Sequence, residues 1–87
     1  MSESILIEAE AMVNGSRSVD YGSAHESFRK IGAIVGLISN TDDTPAITAC
    51  KTLIAVKLVR ESNNHKRDNL VDLCGYTELL HRLEEEK

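Results

Sequence analysis

Residues 44–63 read TPAITACKTLIAVKLVRESN. Thr44 followed by Pro45 is the pair expected at a helix start, because the threonine hydroxyl takes a first-turn amide and proline has no amide to leave unpaired there. From Ala46 to Val59 the only charges are Lys51 and Lys57. A helix apolar around most of its circumference is covered on more than one side. This stretch is therefore expected to be both the central element of the chain and part of an oligomer interface.

Working outward, Ser62-Asn63-Asn64 makes a short connection to a fourth helix running from about His65 to the mid-eighties, with Leu70, Leu73, Cys74, Leu80 and Leu83 apolar. Glu84-Glu85-Glu86-Lys87 reads as a frayed, solvated end. Upstream, Ser23-Ala24-His25-Glu26 fits the S-x-x-E capping box, with the serine taking the amide of Glu26 and the glutamate reaching back to the cap. Phe28, Ile31, Val35 and Ile38 follow at helical spacing. Gly32 and Gly36 leave a strip bare enough for another backbone to approach, and Asn40-Thr41-Asp42-Asp43 ends the helix. Ser2 is the cap expected for a first helix in which Ile5, Leu6, Ala9, Met12 and Val13 recur at three- and four-residue spacing, with Asn14-Gly15 as its stop. No β-like alternation or internal repeat appears. The expected architecture is all-α: one domain over residues 1–87, a small antiparallel bundle of about four helices.

The chain has 87 residues, 41% hydrophobic and 28% charged, with one Phe, two Tyr and no Trp. Its core must be aliphatic and thin, since a single core below about 70–80 residues rarely supplies more than roughly 3–5 kcal/mol. Oligomerisation, as a two-fold dimer, is the expected supplement. Fourteen acidic residues against ten basic ones give a net charge of −4, without the basic tract that tracks a phosphate backbone, so direct nucleic-acid binding is disfavoured. Met1-Ser2-Glu3-Ser4 lacks a basic leader region and no apolar run approaches the ~18 residues of a membrane span. A cytoplasmic protein with no membrane association is expected. Cys50 and Cys74 form no C-x-x-C pair and fall in apolar helical runs, so both are read as buried reduced thiols.

Polar residues gather around the connection between the third and fourth helices: Lys57 and Arg60 before it, His65, Asp68, Asn69 and Asp72 after it, then Tyr76. Lys57 and Arg60 share a helix face, as do Asp68 and Asp72. Folding the two helices back on each other about Asn64 sets Arg60 opposite Asp68 and Lys57 opposite Asp72. Two readings follow from the same residues. One is a pair of salt bridges locking the hairpin; the other is a site in which Asp68 and Asp72 hold Mg²⁺ and Lys57 and Arg60 hold a phosphate.

A second candidate is the loop carrying Arg17, Tyr21 and Gly22, where an arginine, an aromatic and a glycine before a helix N-terminus suit an anion or a base; Tyr21 packing under the loop is the structural alternative. His25 and His81 lie alone on helices and are read as solvated. There is no G-x-S-x-G, no Walker loop and no H-E-x-x-H, so the common hydrolase and NTPase signatures are absent.

Taken in order, Arg17, Tyr21-Gly22, Phe28, Ile31, Lys57-x-x-Arg60, His65-x-x-Asp68-Asn69-x-x-Asp72 and Gly75-Tyr76 resemble the pattern of a family of short proteins encoded mainly by tailed bacteriophages and prophages, of unassigned function. The resemblance covers roughly residues 17–80. Its C-terminal half is also similar, more remotely, to all-α MazG-like nucleotide pyrophosphohydrolases, in which acidic residues on packed helices hold Mg²⁺. Those enzymes pair an E-E-x-x-E helix with a later E-x-x-D helix; this chain has no E-E-x-x-E before its hairpin, and Asn69 and Asp72 stand where the second pair would be.

The resemblance implies a phage-derived accessory protein of the host cytoplasm that acts by binding a host protein or a small phosphorylated, nucleotide-like ligand, without a cofactor. Arg17, Tyr21, Lys57, Arg60, His65, Asp68, Asp72 and Tyr76 are the expected ligand-binding residues, and none is assigned a catalytic role. A variant MazG-like hydrolase with Mg²⁺ on Asp68 and Asp72 is one alternative, and a structural phage component another.

Overall fold

A computed structural model of the chain describes residues 4–15 and 23–87. They form four α-helices, α1 (Ile5–Asn14), α2 (Ala24–Ile38), α3 (Pro45–Asn63) and α4 (Arg67–Glu85), and no strand is found among them. The all-α expectation holds.

The helix starts follow capping chemistry. Ser23 Oγ accepts from the amide of Glu26 at 3.2 Å, and Thr44 Oγ1 from that of Ile47 at 3.2 Å with Pro45 in the first turn. Three details differ from the sequence reading. The cap of α1 is Ser4, whose Oγ accepts from the amide of Ile7 at 3.2 Å. The Glu26 carboxylate turns along its helix to Arg29 instead of back to Ser23, because a charge-assisted pair one turn away outcompetes a neutral amide. The fourth helix starts later than expected, at Arg67, with Lys66 as a cap whose side chain makes no capping bond.

α3 is the centre: α2 packs on one side of it and α4 on another. The fully enclosed hydrophobic residues among those described are Ile47, Cys50, Ala55 and Val59, all on α3. The neighbours present unexpected residues to this core. On α2 the buried position is Ser27, while Phe28 is 64% exposed; on α4 it is Asn69, at 2% exposure, while Leu70 and Cys74 face outward. The pairing of two buried thiols is thus corrected to one buried, Cys50, and one exposed, Cys74. A small side chain on α2 and an amide on α4 thus take the buried positions that larger apolar residues were expected to fill.

Two further expectations change. A Cβ placed on Gly32 or Gly36 meets nothing within 4 Å, so the glycine strip of α2 faces open space and no helix among the described residues packs closely there. The C-terminal end is tied down: Lys87 Nζ lies 3.0 Å from Asp42 and 3.8 Å from Glu84, joining the end of α4 to the α2–α3 turn. α1 stands apart from the three-helix layer, with Ile5, Leu6, Ile7 and Met12 each more than half exposed. No helix among the described residues is long and apolar enough to cross a membrane.

Candidate functional site

The α3–α4 hairpin brings part of the expected polar cluster together. Lys57 Nζ lies 2.7 Å from Asp72 Oδ2, with the lysine side chain largely covered and the aspartate half-exposed. This is the cross-helix pairing that the spacing anticipates. Arg60, one turn on, is half-buried, and Asp68 is exposed in the first turn of α4. Tyr76 leaves the cluster: its ring lines an apolar groove on another side of the hairpin, and its carbonyl accepts from Cys50 Sγ at 3.3 Å. Burial pushes that thiol's pKa up, which keeps it protonated and unreactive. Arg17 and Tyr21 lie outside the described residues.

The residue that organises the connection is Glu61, which sequence reasoning missed. Its Oε1 accepts from the amide of Lys66 and from Asn69 Nδ2, both at 3.2 Å, and its Oε2 pairs with His65 Nδ1. The His65 hydrogen bond, ahead of those from Asn69 and the Lys66 amide, holds the Glu61 carboxyl below its ordinary range. Glu61 supplies the capping acceptor for α4 that the Lys66 side chain does not, and it satisfies the buried amide of Asn69. His65 is thereby part of a structural hub. A signal existed: Glu61 and His65 are four apart, the spacing of same-face helical neighbours.

A second hub lies at the α2–α3 turn. Lys51 Nζ donates to Asp43 Oδ2 at 2.7 Å and to the Ile38 carbonyl at 2.8 Å, so one ammonium neutralises a carboxylate and closes the C-terminal end of α2. Asp43 Oδ2 also accepts from the Asn40 amide at 2.9 Å. That amide first, and then Lys51, holds the Asp43 carboxyl below its usual value.

Chemically, both hubs and the hairpin pair use their polar groups internally. Lys57 is neutralised by Asp72 and Lys51 by Asp43, and His65 hydrogen-bonds to Glu61. Asp68 and Asp72 gain no third ligand: among the described residues no group of three or more His, Cys, Asp or Glu is placed to hold a metal ion. Two parts of the open surface are rich in apolar residues. One part is the groove of about 420 Å³ between α3 and α4, walled by Ala46, Ala49, Leu53, Tyr76, Leu79 and Leu83. The other is the outward arc of α2, where Gly32, Ala33 and Gly36 lie between Phe28 and Leu37, the latter 86% exposed.

Comparison with known proteins gives one family and no fold relative. The family model described as Domain of unknown function (DUF6378) matches residues 4–84. The chain is 30% identical over 82 residues to the Gene 55 protein of Mycobacterium phage L5, covering 93% of this chain and 53% of that protein. It is 32% identical over 88 residues to the Gene 55 protein of Mycobacterium phage D29, covering 99% of this chain and 57% of that protein. The chain thus spans about half the length of the curated relatives it matches. No solved structure matches it.

Proposed function

From the premise that this chain belongs to the DUF6378 family and is similar to proteins of two mycobacteriophages, we propose that it is a phage accessory protein that acts by binding a host protein, through the outward arc of α2. The observation that carries this reading is the composition of that arc. Phe28 and Leu37 stand exposed on either side of Gly32, Ala33 and Gly36, and a Cβ at either glycine meets nothing within 4 Å. Gly32, Ala33 and Gly36 leave a strip of bare backbone that an apolar helix can approach closely, with Phe28 and Leu37 at its two edges half the helix circumference apart and the Arg29–Glu26 pair beside it. A face of this kind is disfavoured in water unless something covers it.

The phosphorylated-ligand reading needs an available cation at the hairpin, and the pairing of Lys57 with Asp72 weighs against it. The variant-hydrolase reading needs a metal cage, and the lack of a third ligand beside Asp68 and Asp72 weighs against that.

Replacing Leu37 by a photo-crosslinking residue and irradiating infected cells tests the proposal. A single host polypeptide joined to the chain, and lost when Phe28→Asp is added, is the expected result. Crosslinks that are diffuse or indifferent to Phe28→Asp, together with a melting shift on adding nucleotide, would move the function to the hairpin.

A further inference from the structure

We draw no further inference here: the strongest candidate, the apolar groove between α3 and α4, is an open face whose rim arginine, Arg82, is already paired with Glu78, and nothing in the structure shows what covers it.

Discussion

The ammonium of Lys51 lies 2.7 Å from the carboxylate of Asp43, with 10% and 2% of the two side chains exposed. Removing one member of a covered ion pair leaves the other charge uncompensated, which destabilises far more than losing a surface pair. Lys51→Met also leaves the Ile38 carbonyl without its donor. Its expected effect is a fall in melting temperature of roughly 10 °C or more, read by circular dichroism.

The same pair sets a pH dependence. The Asp43 carboxyl is held below its ordinary value of 3.8 by the Asn40 amide and then by Lys51. A carboxylate depressed in the folded state stabilises above its unfolded pKa, and the contribution is lost as pH falls through the folded one. Asp42, through Lys87, and Glu61, through His65, are shifted the same way. Stability should hold from neutral pH down to about 5 and fall below about 4. Urea titrations across that range should show a shallower acid loss for Asp43→Asn than for wild type.

Glu61→Ala removes acceptors from the Lys66 amide and from Asn69 at once. The start of α4 should fray, with a melting temperature lower by about 5 °C. Hydrogen exchange at the Lys66 and Asn69 amides should speed up while exchange in the middle of α3 changes little. Equal acceleration everywhere would mean that Glu61 acts on the whole fold and not on this joint.

Gly32→Ala and Gly36→Ala should each stabilise by about 0.4–1 kcal/mol, because the new methyl meets nothing and the unfolded chain loses freedom. Thermal melts of the purified chain measure this. Destabilisation by either would mean that a neighbour already packs on the strip.

How far the fold was legible depended on whether its cause is local. Ser23 and the Thr44-Pro45 pair mark helix starts through bonds three residues long, and the apolar run from Ala46 to Val59 marks the central helix by itself. Lys57 and Asp72 were placed opposite each other by counting turns from the connection. Lys51 was not legible: a lone lysine on an apolar helix becomes a capping group only once the end of α2 is known to lie over it. Phe28, expected on the apolar stripe, is exposed and Ser27 is buried in its stead, because the stripe that meets the neighbour is turned by about one residue from the one the apolar spacing marks. Periodicity fixes the width of the stripe better than its direction.

A double-mutant cycle on Lys57 and Asp72 should give a favourable coupling of about 0.5–1 kcal/mol, as expected for a partly exposed pair. Phosphate, nucleotides and Mg²⁺ should leave the melting temperature of the wild type where it is.

The account turns on which surface meets the partner, and one comparison addresses that directly. The tagged chain, its Phe28→Asp variant and its Lys57→Ala/Asp72→Ala variant are recovered from infected cells, and the amount of co-purifying host protein is measured for each. Retention of the partner by the hairpin variant and its loss by the Phe28→Asp variant is the predicted result. Loss by the hairpin variant with retention by Phe28→Asp would contradict the account and make the polar hairpin the site.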